Sequence, residues 1–135
     1  MTWCGRVRAG IAADDGSAVA EFVMVVSLLT VLTLSVMQLA FALHIRNTIQ
    51  DAAAEGARFA ALADSGPAGG AERARDLITT ALGPSYARQV EAGYGVYAGH
   101  PSAEVRVTAP LPLLGLIGPD RWLEVIGRAA VETPG

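Results

Sequence analysis

The stretch GSAVAEFVMVVSLLTVLTLSVMQLAFAL, residues 16–43, decides the fold of this chain. Its last 22 residues, Phe22 to Leu43, carry no charge. As a helix this run would rise about 33 Å, enough to span a hydrocarbon core of about 30 Å. The remainder of the 135-residue chain has no second long apolar element that could surround it. The sequence therefore predicts a transmembrane helix over residues 17–43 rather than the core helix of a soluble domain.

A glutamate stands at the edge of the apolar run. Glu21 lies five residues after Gly16 and directly before Phe22. A carboxylate near lipid is costly unless it finds a partner. The Gly-x-x-x-x-Glu pattern before an apolar helix resembles the cleavage site of type IV prepilins. Together with DAAAEGARFAA at residues 51–61, it is similar to the TadE-like family, the pseudopilins of the tight-adherence (Tad, or Flp) pilus machinery.

The resemblance implies specific roles for four residues. A membrane aspartyl peptidase cuts prepilins after the glycine, which implies a cytoplasmic leader over residues 1–16 and cleavage between Gly16 and Ser17. In pilin assemblies the carboxylate of the fifth mature residue pairs with a neighbour's new amine, which implies an assembly role for Glu21 and the adjoining Phe22. Major Flp pilins tend to have tyrosine in place of Phe22 and to be shorter. The resemblance therefore favours an accessory pseudopilin or minor pilin.

The same resemblance implies location and partners. It places the N-terminus in the cytoplasm and the C-terminal domain outside the membrane, as a single-pass protein of the cell membrane that can enter a surface pilus. The implied partners are a prepilin peptidase, other pilins or pseudopilins, the pilus assembly platform and membrane lipid.

Two other interpretations remain open. Ala40-Phe41-Ala42 is a tripeptide of the kind that signal peptidase cuts, which would release a secreted domain beginning at Leu43. Against this, the apolar run is longer than the usual signal segment of about 7–15 residues. The chain could also stay uncleaved, as a membrane-anchored binding domain. The N-terminal residue of the membrane-extracted protein distinguishes the three: Ser17 for the pilin, Leu43 for the secreted domain and Met1 for the uncleaved anchor.

Residues 44–135 are predicted to form a small extracytoplasmic α+β domain with a pilin-like layout. A stem helix over residues 44–63 continues the transmembrane helix, because apolar and small residues recur at helical spacing. Residues 64–70 are rich in glycine and predict a linker. An amphipathic helix over residues 71–83 then ends at Gly83-Pro84, since glycine caps helices and proline cannot continue them.

From Val90 onward the apolar period is two, which predicts an antiparallel sheet of about three strands. The clearest strand has Val105 and Val107 facing a core and Arg106 facing water. In the first strand, one face is shared by alternate residues, namely Val90, Ala92, Tyr94, Val96 and Ala98. The apolar connection from Pro110 to Pro119 either tucks under the sheet or presents a docking patch to a partner or the bilayer.

Three small residues, Ala52, Gly56 and Ala60, recur every fourth position on the stem. Such a pattern permits close approach by another helix or a sheet, although an alanine-rich helix would show it too.

The sequence offers little catalytic material. A formal charge of −3 without a basic run argues against nucleic acid. The single cysteine, Cys4, excludes an internal disulfide and a multi-cysteine metal site. His44 stands at the membrane edge and His100 in a predicted Gly-His-Pro turn, neither with a neighbouring nucleophile or ligand set. We expect no enzymatic activity, no cofactor and no metal, and regard the chain as the substrate of an enzyme.

Overall fold

The computed structural model describes residues 3–62, 64–111 and 122–131, with side chains from Asp14 onward. The chain divides into two compact units, residues 1–39 and 40–135. Helix α1, Trp3–Ala61, contributes to both. The second unit also contains helix α2, Gly66–Leu82, and a three-stranded antiparallel sheet. The predicted α+β layout is confirmed. The apolar connection from Pro110 to Pro119, expected either to tuck under the sheet or to present a docking patch, lies outside the described residues beyond Leu111.

Helix α1 begins earlier than the sequence predicts. We expected it to start at Ser17, after a separate polar leader, but it starts at Trp3. Residues 3–61 contain no proline, so every residue can donate its backbone N–H to the helix ladder. A glycine in a helix costs only about 1 kcal/mol relative to alanine, and Gly16 does not end the helix. At the other end α1 stops at Ala61, two residues before the predicted boundary.

Helix α2 begins inside the predicted linker. It starts at Gly66 rather than residue 71, and Pro67 occupies its first turn. Proline is well suited to this position because its fixed φ is helical and its missing N–H would have had no partner there. The predicted end at Gly83 is confirmed. Gly83 has a φ of +104° and donates its N–H to the carbonyl oxygens of Ile78 and Thr79, at 3.3 and 3.1 Å.

The sheet consists of β1, Gln89–Tyr97, β2, His100–Pro110, and β3, Trp122–Ala130, in the order β1-β2-β3. The turn between β1 and β2 contains only Ala98 and Gly99, with φ of +50° and +81°. Positive φ at both central residues is what a type I′ hairpin requires. The prediction that Ala98 lies in the strand and His100 in the turn is therefore wrong, because His100 already pairs with Tyr97.

One face of the sheet forms the core of the second unit. Val105 and Val107 are fully buried and Arg106 is exposed, so the predicted register of β2 is confirmed. The helices contribute Ile45, Ile49 and Ile78, all fully buried, to the same hydrophobic cluster.

The far half of β1 does not join this core. Tyr94 and Val96 share a face with the buried Val90, yet they are 61% and 74% exposed. Because β1 is an edge strand, these side chains have a neighbouring strand on one side only. The prediction that these residues of β1 share one face is correct, but the core covers only the first part of that face.

The opposite face of the sheet carries charges. Glu104 and Arg128 are direct cross-strand partners and their side chains are 2.8 Å apart. Arg106 and Glu124 form a second pair at 3.4 Å. Such exposed pairs contribute only about 0–1 kcal/mol each. The register is therefore set mainly by the buried face, since a slip of one residue would expose it.

We predict that Val107→Asp destabilises the domain strongly, because it would bury an unpaired charge and lower the free energy of unfolding by about 3 kcal/mol or more. The matched change Arg106→Gln, one residue away, removes only an exposed ion pair and should cost under about 1 kcal/mol. Thermal unfolding of the full chain in detergent micelles, followed by tryptophan fluorescence, measures both. Equal losses would show that the register is wrong.

Candidate assembly site

The segment from Gly16 to Phe22 lies within α1, in the first unit. All its side chains are exposed, and Phe22 is 68% exposed. A Cβ atom built on Gly16 would meet nothing within 4 Å. The segment is therefore open to an approaching protein. The Gly16–Ser17 peptide bond is helical, however, so a peptidase would have to open the helix there, which glycine makes easier by about 1 kcal/mol relative to alanine.

Glu21 and Ser17 lie one helical turn apart on α1. Residues spaced i and i+4 lie on the same face of a helix, so the side chains of Ser17 and Glu21 share one exposed face of α1. Among the side chains that the structure describes, none forms an ion pair with Glu21. The Glu21 side chain is exposed.

The apolar run after Glu21 has the properties of a membrane span. Within residues 14–61 the most apolar window has a mean hydropathy of 2.2, and none of it is buried. The hydroxyls of Thr30, Thr33 and Ser35 donate to backbone carbonyls one turn earlier, at 2.8, 2.8 and 2.7 Å. These polar atoms are satisfied without water, as a hydrocarbon environment requires. The helix is consistent with a single-pass membrane protein.

The predicted packing residues of the stem lie against α2. A Cβ atom on Gly56 would stand 2.6 Å from the carbonyl oxygen of Gly70 and 2.8 Å from the Cβ of Ala74. A Cβ atom on Gly70 would likewise meet the Cβ of Ala60, at 2.5 Å. Ala52 is buried on the same side of the stem. The backbones of the two helices thus approach closely, and these small residues contact the protein's own domain.

A second close approach was not predicted. A Cβ atom on Gly127 of β3 would overlap the backbone of Ala53, so the stem also rests directly on the sheet. A glycine in the middle of a strand pattern often marks such an approach, and this was the available signal. Sequence reasoning also missed Ala57, which is fully buried. Glu55 and Arg58, three residues apart on α1, form an ion pair at 3.8 Å.

The two histidines are not brought together with other reactive groups. His44 and His100 are both exposed. Within residues 14–62, 64–111 and 122–131, no cluster of three or more histidine, cysteine or acidic side chains could hold a metal ion.

We predict that Gly56→Ala destabilises the second unit by about 1–3 kcal/mol, because the added methyl group would overpack the contact with Gly70 and Ala74. The gain in helix propensity, about 1 kcal/mol, offsets only part of this. Gly93→Ala is the control, since nothing lies within 4 Å of a Cβ atom there. Chemical denaturation in detergent compares the two. A stabilised Gly56→Ala protein would mean that the helices do not cross at this residue.

Comparison with known proteins bears on the first part of the chain. A protein-family model described as TadE-like protein matches residues 16–58. The match begins at Gly16, includes Glu21 and the apolar run, and ends in the stem at Arg58, before α2 and the sheet. No curated protein and no solved structure matches the chain. The predicted resemblance to the TadE-like family is confirmed over this segment.

Proposed function

We propose that this chain is a non-enzymatic pseudopilin or minor pilin that takes part in assembling Flp-type (type IVb-like) pili or a related secretion apparatus. One observation carries the proposal. Gly16 and Glu21 stand five residues apart at the start of an exposed 22-residue apolar helix, where the match to the TadE-like family also begins. The family suggests involvement in Tad pilus assembly.

Processing is the first step of this function. A prepilin peptidase would cut between Gly16 and Ser17, removing residues 1–16 and leaving a new α-amino group on Ser17. The absence of a side chain at Gly16 supports access to the backbone from any direction, and it makes local opening of α1 less costly.

Glu21 would then act in assembly. The α-amino group of Ser17 is mostly protonated at neutral pH, so processing creates a cation close to lipid. Two opposite charges that leave water are each costly alone, and pairing removes much of that cost. An amine on one subunit and the Glu21 carboxylate of its neighbour would satisfy each other and fix the register of the two helices.

The remaining assignments follow from this role. The protein would be anchored in the cell membrane with its N-terminus in the cytoplasm and the sheet-containing domain outside. Its partners would be the prepilin peptidase, other pilins or pseudopilins and the assembly platform. Phe22, 68% exposed beside Glu21, would pack against neighbouring helices or lipid.

The processing step is tested by Gly16→Leu. A branched side chain would block the peptidase, so this variant should keep residues 1–16, whereas the native chain should begin at Ser17. Gly10→Leu is the control, because it makes the same change within the leader and should be cleaved normally. The intact mass of the membrane-extracted protein shows whether residues 1–16 have been removed from the native chain and from each of the two variants. Loss of the leader from Gly16→Leu, or a native N-terminus at Met1 or Leu43, would contradict the proposal.

The assembly step is tested by Glu21→Gln. If Glu21 pairs with the amine of a neighbour, the change leaves that cation unpaired, which costs about 3–5 kcal/mol, or two to three decades in association. We expect processed, membrane-inserted protein that no longer cross-links to other pilin-like subunits and does not support piliation. Asp15→Asn is the matched control, because this carboxylate would leave with the leader. If Glu21 only stabilises its own helix end, worth about 0.3–1 kcal/mol, piliation and cross-linking would be unchanged.

A further inference from the structure

Strand β1 forms one edge of the sheet. It pairs with β2 along its whole length and, among the residues that the structure describes, with no other strand. Proteins usually protect such an edge with charge, proline, a bulge or a very short strand. β1 is nine residues long, pairs with β2 residue by residue, and has neither charge nor proline from Ala92 to Tyr97. The opposite edge strand, β3, carries Glu124 and Arg128, so β1 is the edge that is open to pairing.

The hairpin determines which backbone groups of β1 point away from β2. In a two-residue hairpin the flanking residues, here Tyr97 and His100, exchange both of their backbone hydrogen bonds. Every second residue of β1 counted back from Tyr97 therefore bonds to β2. The Nη2 of Arg75 donates a hydrogen bond to the carbonyl oxygen of Val90 at 3.1 Å, as expected if Val90 points outward. The residues that point outward are Val90, Ala92, Tyr94 and Val96.

Arg75 closes this edge at Val90 only. The backbone N–H and C=O groups of Ala92, Tyr94 and Val96 remain available, which makes six open groups on one strand. The core-side face of this stretch carries the exposed side chains of Tyr94 and Val96, while the other face has Gly93 and Gly95 and so no side chain. Apolar side chains on one face and open backbone at the edge are what β-strand addition uses.

A second copy of β1 fits this edge in one antiparallel register. With a two-fold axis at Tyr94, this tyrosine pairs with its counterpart, and Ala92 of each copy pairs with Val96 of the other. All six open groups of each copy then have partners. A shift of one residue would set outward-pointing groups against inward-pointing ones. A shift that sets Val96 against Val90 would meet the carbonyl that Arg75 already occupies, and the opposite shift would set Ala92 against the hairpin turn.

The side chains of the two copies also match in this register. The two Tyr94 rings lie side by side on the core-side face, where aromatic pairs across strands are favourable. The larger Val96 lies beside the smaller Ala92, which packs at the border of the core. On the other face Gly93 lies against Gly95 of the second copy, so nothing keeps the strands apart. The contact would cover the part of β1 that the core leaves exposed.

The charges at both ends of this contact are complementary. In the same register Glu91 lies opposite Tyr97 of the other copy. The guanidinium carbon of Arg128 is 5.0 Å from the centroid of that tyrosine ring, within its own copy. Glu91 is exposed and forms no ion pair among the described side chains. A carboxylate of one copy thus approaches a cation of the other, and two-fold symmetry produces this approach twice.

We infer that two copies of this chain join their sheets edge to edge, through antiparallel pairing of residues 92–96 of β1, and form one six-stranded sheet. The contact lies entirely within the second unit and uses no residue of the apolar run. It goes beyond the proposed function, because it needs neither cleavage at Gly16 nor the Glu21 carboxylate nor any other pilus protein.

The first experiment uses the purified full chain with Cys4→Ser, in enough detergent that the apolar helices of two copies occupy separate micelles. Tyr94→Cys places a thiol at the two-fold axis, where paired Cα atoms are about 5.5 Å apart and a disulfide can form. Val96→Cys is the control: it is the more exposed position, but its counterpart would be about 13 Å away along the strand. Mild oxidation should link Tyr94→Cys chains at a yield at least fivefold higher. Equal yields, or no link through Tyr94→Cys, would overturn the inference.

A mixture of two variants tests the register. Ala92→Cys and Val96→Cys chains that are oxidised together should form a mixed disulfide, because these residues lie opposite each other across the contact. Neither variant should link to itself when oxidised alone. Intact mass distinguishes the mixed dimer from a dimer of either variant. Absence of the mixed dimer, or a Val96→Cys chain that links to itself, would contradict the antiparallel register.

A third experiment separates the backbone contact from the side-chain contact. Val96→Pro removes an N–H that points away from β2 and would donate to Ala92 of the other copy, and proline is tolerated in this orientation on an edge strand. Added to the Tyr94→Cys chain, it should lower cross-linking at least fivefold. Val96→Ala keeps the N–H and should change cross-linking less than twofold. Thermal unfolding followed by tryptophan fluorescence checks that both variants are folded, and equal cross-linking in the two would exclude pairing through the backbone.

These results are independent of the pilus. The purified preparation contains no peptidase and no second pilin, so absence of the dimer would remove this inference and leave the proposed function untouched. Conversely, a dimer that forms normally from Gly16→Leu or Glu21→Gln protein would stand even if those variants showed no defect in cells.

Discussion

The apolar run of α1 meets the main constraint on a membrane span, which is that no polar group may be left unsatisfied in hydrocarbon. From Phe22 to Leu43 the chain has no charge, and helical geometry pairs its backbone groups internally. The hydroxyls of Thr30 and Thr33 donate to the same backbone. Charge returns only at the borders, as Glu21 on one side and Arg46 on the other. Glu21 is the one acid placed directly against this run, which is why a partner for it is the central question.

Beyond Leu43 the same helix meets a different constraint, because one of its faces must be covered by protein. The covered face of the helix is packed with small residues more than with bulky ones. Glycines at positions 56, 70 and 127 let backbones approach where a methyl group would collide. Close-packed small residues still gain many dispersion contacts, so a core with only a few large side chains, such as Ile45 and Val107, can hold two helices on three strands.

The sequence predicted those features that rest on long, regular periodicity. The apolar span, the second helix and its end at Gly83, and the buried face of β2 followed from period and capping alone. Local decisions were harder. The start of α2 was mispredicted. Pro67 lies in the first turn of the helix, but the glycines around it indicated a linker. The hairpin depended on an alanine, Ala98, adopting positive φ, which the residue type does not favour.

The residues of the candidate site also fall into those that the sequence alone could indicate and those that needed the structure. Gly16 and Glu21 could be proposed from the sequence because the proposal rests on their spacing along one helix, which a sequence displays directly. The contact of Gly127 with Ala53 could not, because it joins residues far apart in the chain through the absence of a side chain. Of the small residues of the stem, only their spacing was visible, and the structure was needed to identify their neighbours in α2.

The faces of α1 therefore differ in what they contact. Gly56 and Ala60 bring α2 against the stem, and the sheet buries Ala53, so the domain occupies one side of the helix. The match to the TadE-like family covers residues 16–58 and stops before α2, so the recognisable part of the chain is the helix itself. Arg46 and Asp51 remain exposed on it. A domain that covers only one side of its stem leaves the other sides exposed, and under the proposed function these sides and the apolar run before them would meet lipid and neighbouring subunits.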